Sequence, residues 1–112
     1  GRTMIARASM ASPPLLLLDE PSTGLDVAAR EQMIRTIAGL PEEIPGVTTV
    51  MVTHHFEELP PTTTHAALLR GGRLVAAGPV EQVLTGELVT ETFAHPIAVR
   101  RHAGRWYAAA DA

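Results

Sequence analysis

Two groups of polar side chains follow two apolar runs and have the residue types of a hydrolytic site. Asp19 and Glu20 come directly after the run Leu15–Leu18, and His54 comes directly after the run Val47–Thr53. An Asp in such a place can hold Mg²⁺, directly or through water. A neighbouring Glu can act as a general base on a water molecule. If the two runs are neighbours in the fold, one site holds an Asp, a Glu and a His.

The elements that must position these residues form a strand–helix–strand pattern. Leu15–Asp19 lacks alternation and Val47–Thr53 is rich in β-branched residues, so both runs predict strands buried on both faces of a parallel sheet. Between them, Val27–Ala38 predicts a helix with Asp26 as its N-cap. This order predicts an α/β fold. Because ligands bind outside the carboxyl ends of such strands, the acids and the histidine are expected to face one crevice.

The segments around this unit carry further predictions. Residues 1–11 predict a helix with Met4, Ile5, Ala8 and Ala11 on one face, and the prolines that follow end it. The stretch PEEIPG after Gly39 predicts a loop, and His54–Leu59 predicts a short helix. The acidic pairs Glu42-Glu43 and Glu57-Glu58 are expected to be solvated.

The second half of the chain predicts two hairpins joined by short helices. Ala66–Arg70 and Arg73–Ala77 flank a Gly-Gly turn, and a second hairpin turns at Ala103-Gly104. Between them, Val80–Leu84 and Glu87–Phe93 predict short helices. Arg100-Arg101 and Trp106 lie in the second hairpin, where an amphipathic hairpin is favoured over a surface that stacks on nucleic-acid bases.

Composition excludes several kinds of site. The 112 residues are enough for one domain or part of one, and 46% of them are hydrophobic. The net charge of −3 gives no strong attraction to nucleic acid. The chain has no cysteine, which excludes disulfides and thiolate metal sites, and its aliphatic runs are too short to span a membrane. It also contains no lysine.

Several strings of this sequence resemble motifs of the ABC-type ATPases. The string LLLLDEP resembles their Walker B segment, STGLD resembles their D-loop, and VTH before His55 resembles their H-loop. RGGRLVAAGPVEQVL resembles their later hairpin and helix, and GRTMIARASM resembles the helix after their LSGGQ-type signature. The resemblance covers nearly the whole chain and is weakest in the last hairpin.

The resemblance implies a role for each matching catalytic position. Asp19 would coordinate Mg²⁺ through water, and Glu20 would be the general base that polarises the attacking water. His54 would contact the γ-phosphate of ATP and help to position that water. His55 matches the switch histidine less well, because the histidine of the family directly follows the last Thr of the strand.

The same resemblance implies that the loop after Asp19 and Glu20 takes part in ATP binding and in dimer formation. Ser22 and Gly24 would shape the loop at the bound nucleotide. Asp26 would lie at the interface of a head-to-tail dimer, in which a second ATPase subunit completes the site.

Two motifs of the family do not occur in this chain. The phosphate loop G-x-x-x-x-G-K-[ST] is missing and, without a lysine, no variant of it can exist. The LSGGQ-type signature is also missing and would lie just before Gly1. The sequence is therefore interpreted as the C-terminal half of an ABC ATPase domain, with residues 1–95 in that domain and residues 96–112 as a hairpin tail.

The predicted fold is thus a partial P-loop NTPase (RecA-like) parallel sheet that lacks the phosphate-loop strand, followed by C-terminal β-hairpins. In the family this missing strand would lie beside the strand that precedes His54. We therefore expect an exposed apolar edge at Val47–Thr53.

The function implied is ATP hydrolysis that powers a membrane transporter, with ATP and Mg²⁺ as ligands and a transmembrane permease as partner. The location implied is the cytoplasmic, inner face of the cell membrane, with no nucleic acid bound. The stretch THHFEEL around His54 resembles the importer ATPases of the metal and oxyanion kind. Two alternatives stay open: an ABC-type ATPase that works outside transport, or an inactive fragment that acts only through subunit association. The chain by itself is expected to be inactive.

Overall fold

The computed structural model describes the backbone of residues 5–9 and the whole of residues 13–111. The chain divides into two compact units, one ending at Pro60 and the other beginning at Pro61. None of the helices in these ranges is long and apolar enough to cross a lipid bilayer. The domain boundary between residues 95 and 96 stays a prediction.

A three-stranded sheet organises the first unit. Its strands are β1 (Ile5–Ser9), β2 (Leu15–Asp19) and β3 (Thr48–Val52), in that spatial order. β2 and β3 are parallel, with Asp19 opposite Val52. Their carboxyl ends therefore coincide, as the predicted α/β fold requires.

A long helix connects the two parallel strands. This helix, α1 (Val27–Ala38), has the predicted limits, and the carboxylate of its N-cap Asp26 accepts a hydrogen bond from the amide of Ala29 at 2.8 Å. Ile34 and Ile37 are buried. Because Ile34 and Ile37 are three residues apart, they lie on one face of the helix, and that face contributes to the core of the unit.

Two short segments differ from their predictions. The stretch predicted as a loop contains a single helical turn, α2 (Leu40–Glu43), with a proline in its first turn. Proline is tolerated there because the first amides of a helix have no partner within the helix. The helix predicted over His54–Leu59 is reduced to one 3₁₀ turn at Phe56–Glu58.

The predicted N-terminal helix is wrong where the structure describes the chain. Residues Ile5–Ser9 form β1, which runs antiparallel to β2 with Ile5 opposite Asp19. Pairing satisfies the backbone groups along one edge of β2, and this gain exceeds a helix propensity of a few tenths of a kcal/mol per residue. Of the proposed apolar helix face, Met4 and Ala11 lie outside the described residues.

The two faces of this sheet differ in burial. Leu18 is only 1% exposed, whereas Leu15, Val50 and Val52 on the other face are 44%, 43% and 51% exposed. The expected burial of both strands on both faces is therefore wrong, because such burial needs a packed layer on each side of a sheet. β3 is an edge strand of this sheet. The expected exposed apolar edge is confirmed.

The second unit begins with a hairpin followed by two short helices. Strands β4 (His65–Arg70) and β5 (Arg73–Pro79) are joined by Gly71-Gly72, whose φ angles of 55° and 77° favour glycine. Helices α3 (Val80–Val83) and α4 (Gly86–Phe93) follow, close to their predicted limits.

A second hairpin follows α4 in the chain and packs on it. Its strands are β6 (Ile97–His102) and β7 (Arg105–Ala110). Arg101 lies 4.6 Å from the ring centroid of Trp106, and Trp106 is only 6% exposed. A buried ring cannot stack on a nucleic-acid base, so the amphipathic hairpin is the better interpretation. The buried apolar residues of the unit are Leu68, Val80, Val83, Leu84, Val89 and Trp106.

Candidate functional site

Glu20 and His54 lie beside each other where β2 and β3 end. His54 Nε2 is 3.6 Å from Glu20 Oε1, and the side chains are 74% and 43% exposed. The amide of Glu20 donates a hydrogen bond to the carbonyl of Val52 at 2.7 Å, so the parallel pairing continues one residue beyond β2. The structure thus brings together the predicted base and the predicted histidine, and both side chains are accessible to solvent.

The backbone at Glu20 is in a conformation that is unusual for a glutamate. Its φ angle is 45°, in the left-handed region that residues with a Cβ rarely adopt. Such a conformation costs on the order of 1–3 kcal/mol and occurs mostly where the surrounding structure enforces it, often at functional sites. Here the hydrogen bond to Val52 and the turn that follows enforce it.

Asp19 is an exposed carboxylate at the end of β2. Because side chains alternate along a strand, it lies on the same face as Leu17 and not on the face of Leu18. No group of three or more His, Asp or Glu side chains in the described ranges is arranged to hold a metal ion. Mg²⁺ is normally bound by one or two carboxylates together with substrate phosphates, so one free carboxylate here suits it.

The loop between the acids and α1 is built from two consecutive turns. Pro21 is fully buried and fixes the start of the loop. The amide of Thr23 donates to the carbonyl of Glu20 at 3.2 Å, and the amide of Leu25 donates to the carbonyl of Ser22 at 3.0 Å. Gly24 has a φ of 84°, which favours glycine at this position.

Asp26 has a structural role in addition to the dimer contact that the sequence predicts. Because its carboxylate caps α1, we expect Asp26→Ala to lower the free energy of unfolding by about 1 kcal/mol. Asp26→Asn keeps a capping oxygen and is expected to retain nearly all of that stability. Urea unfolding followed by circular dichroism compares the two variants. Equal losses in both would contradict the capping role.

A buried acid behind the site was missed by the sequence prediction. Glu58, expected to be solvated, is only 1% exposed. Its Oε2 accepts a hydrogen bond from the amide of Ser22 at 3.0 Å, and its Oε1 accepts one from the hydroxyl of Thr53. In the sequence nothing separates Glu58 from Glu57, because both belong to one acidic pair.

The second histidine points to a different acid. His55 Nδ1 lies 3.5 Å from Oε1 of Glu57, and its side chain is 62% exposed. The amide of His55 donates to the hydroxyl of Thr53 at 2.9 Å. Of the two histidines, His54 is therefore the one placed against Glu20, as its position directly after Thr53 predicts.

Known proteins are similar to this chain in both fold and sequence. The chain superimposes with a TM-score of 0.67 on a metal-chelate type ABC transporter solved in an inward-facing conformation, at 22% identity over 88% of this chain and 40% of that one. It is 42% identical over 98 residues, or 88% of its length, to the uncharacterized ABC transporter ATP-binding protein YlmA of Bacillus subtilis. The chain matches the C-terminal part of an ABC transporter ATPase domain.

A further relative of this ABC segment carries the name of a transported solute. The hemin import ATP-binding protein HmuV of Nocardia farcinica is 35% identical to it over 102 residues, or 91% of the chain. The segment spans 37% of YlmA and 35% of HmuV, a little more than a third of each. No family model matches it. The P-loop NTPase type of α/β fold is confirmed by the solved transporter.

Proposed function

We propose that the protein containing this ABC segment hydrolyses ATP to power a membrane transporter. The observation that carries the proposal is the approach of His54 Nε2 to Glu20 Oε1, at 3.6 Å, where two parallel strands end. A carboxylate and an imidazole at this edge of an α/β sheet suit a site that activates water beside a bound phosphate. The similarity to ABC transporter ATP-binding proteins supports ATP as the nucleotide.

The proposed reaction assigns one task to each of the two residues. Glu20 takes a proton from a water molecule while the oxygen of that water attacks the γ-phosphorus. The bond from the γ-phosphorus to the bridging oxygen breaks, and ADP leaves with that oxygen. His54 donates a hydrogen bond to the γ-phosphate and orients the water. The exposure of both side chains supports this assignment, because the nucleotide and the water must reach them.

Asp19 is the proposed holder of Mg²⁺, through an intervening water. When bound there, the ion would supply positive charge to offset the charge that develops on the phosphates. The exposed carboxylate at the end of β2 supports this role, since Mg²⁺ keeps most of its waters and takes few protein ligands.

The loop of Ser22, Gly24 and Asp26 is proposed to face the nucleotide and a second ATPase subunit in a head-to-tail dimer. The exposure of Gly24 and Asp26 supports this placement. Asp26 would then have two roles, capping α1 inside its own subunit and contacting the partner. The phosphate loop does not occur in these 112 residues, so the proposal requires it from elsewhere in the protein.

The proposed partner of the ATPase is a transmembrane permease, which places the protein at the cytoplasmic face of the membrane. The names of the relatives support coupling to transport, because HmuV is an import ATP-binding protein. Binding to nucleic acid is not part of the proposal, and the net charge of −3 supports that choice.

The proposal can be tested with the full-length protein, which is the product of the complete reading frame that contains these residues. We expect it to release phosphate from ATP only when Mg²⁺ is present. The 112-residue chain alone is expected to release no more phosphate than its Glu20→Gln variant. If the full-length protein binds no ATP and releases no phosphate, with or without its permease, the proposal is wrong and an inactive, associating role is favoured.

A further inference from the structure

Glu58 is a carboxylate in a place where a carboxylate is costly. It is 1% exposed, whereas the side chain of its neighbour Glu57 is 30% exposed. Removing a charged group from water costs several kcal/mol unless hydrogen bonds compensate for the lost hydration. An apolar side chain of the same size would avoid this cost, so the contacts of Glu58 should explain why an acid is present.

Both carboxylate oxygens of Glu58 bind groups from the two segments that form the candidate site. Oε2 accepts from the amide of Ser22 at 3.0 Å, and Oε1 accepts from the hydroxyl of Thr53. The same hydroxyl accepts a hydrogen bond from the amide of His55 at 2.9 Å. Glu58 therefore connects the loop that follows Glu20 to the end of β3.

These contacts lie next to the reacting residues in the chain. Only the buried Pro21 separates Ser22 from Glu20, and Thr53 directly precedes His54. By contrast, the side chains of Glu20 and His54 are 43% and 74% exposed, and their 3.6 Å separation is longer than a normal hydrogen bond. Exposed pairs of this kind contribute little energy, so they cannot hold each other in place.

We propose that Glu58 is a positioning residue that sets the separation of Glu20 and His54 by tying the Ser22 amide to the Thr53 hydroxyl. The inference rests on the proposed function, because the separation matters only if both side chains act on one phosphate. A displacement of about 1 Å in a reacting group can cost about 100-fold in rate. Losing the tie is therefore expected to lower turnover without preventing nucleotide binding.

Variants of the full-length protein test this role through steady-state ATP hydrolysis. Glu58→Ala is expected to lower kcat by about 10–100-fold and to leave the KM for ATP within about threefold. Glu58→Gln keeps an oxygen for the Ser22 amide and a group that can bond Thr53, so it is expected to retain most of kcat. Glu57→Ala is the matched control and is expected to keep the rate of the unmodified protein.

Thr53 supplies a second test that does not alter the buried acid. Thr53→Val has nearly the same shape but no hydroxyl, and it is expected to lower kcat as Glu58→Ala does. Thr53→Ser restores the hydroxyl and is expected to restore the rate. Because both residues act through one tie, the double variant Glu58→Ala, Thr53→Val should lose no more than the worse single variant. Circular dichroism confirms that each variant is folded before its rate is compared.

The outcomes separate this inference from the proposed function. If the unmodified full-length protein does not hydrolyse ATP, the proposed function fails and the inference falls with it. If it hydrolyses ATP and folded Thr53→Val and Glu58→Ala keep kcat within twofold, the inference alone is overturned. The inference is also overturned if kcat falls equally in Glu58→Gln and Glu58→Ala. Glutamine can still make both hydrogen bonds, so an equal loss would show that these bonds do not set the rate.

Discussion

Replacing Glu20 by glutamine is expected to lower the rate of ATP hydrolysis by the full-length protein about 10²–10⁴-fold, the usual contribution of a general base. Glutamine has the same shape and keeps the backbone bond from residue 20 to the carbonyl of Val52. It has no carboxylate to accept the proton of the attacking water. The affinity for ATP should stay nearly unchanged, because Glu20 acts on the water and not on the nucleotide.

Phosphate release under saturating MgATP measures this effect, and equilibrium binding of a fluorescent ATP analogue measures affinity. Glu43→Gln, in the exposed turn α2, is the matched control, because it makes the same chemical change away from the site. Its rate is expected to stay within twofold of the unmodified rate. A loss of less than tenfold in Glu20→Gln would exclude Glu20 as the base.

Replacing Leu18 by alanine is expected to lower the free energy of unfolding by about 2–5 kcal/mol, the usual range for a buried leucine. Leu18 is 1% exposed and lies in β2, directly before the acids. Its removal leaves a cavity in a small core, to which Ile34 and Ile37 also contribute. Because natural domains are stable by only about 5–15 kcal/mol, this loss is a large fraction of the stability expected for the first unit.

Leu15→Ala is the matched control for this loss. It makes the same change in the same strand, but Leu15 is 44% exposed. Its expected cost is about 1 kcal/mol or less, as for other partly exposed positions. Urea unfolding followed by far-ultraviolet circular dichroism compares the two variants. Trp106 is unsuitable as the probe because it belongs to the second unit. Equal losses in the two variants would show that the core does not depend on the Leu18 face.

The candidate site divides into a part that the sequence predicts and a part that it does not. The sequence predicts that Glu20 and His54 meet because each directly follows a strand, and parallel strands place their carboxyl ends together. The sequence predicts a solvated Glu58, because no local sequence pattern distinguishes a buried acid from an exposed one in a Glu-Glu pair. The burial of Glu58 depends on donors from Ser22 and Thr53, which are 36 and 5 residues away.

What the sequence alone determined was local in origin. The limits of α1 follow from a capping Asp26 and a helical spacing of apolar residues, and the two hairpin turns follow from glycines. The strings around Glu20 and His54 also indicated the ABC family, because DEPSTGLD and VTHH both resemble motifs of that family.

What only the tertiary structure decided concerns partners that are distant in the chain. Ile5–Ser9 became a strand because the edge of β2 offered unpaired backbone groups, against a weak preference for helix. Tertiary packing also decides two differences in burial. It leaves Val50 and Val52 exposed on one face of the sheet, and it buries the carboxylate of Glu58. Hydrophobic patterns fix which residues can be buried, but burial and pairing are properties of the contacts that the fold makes available.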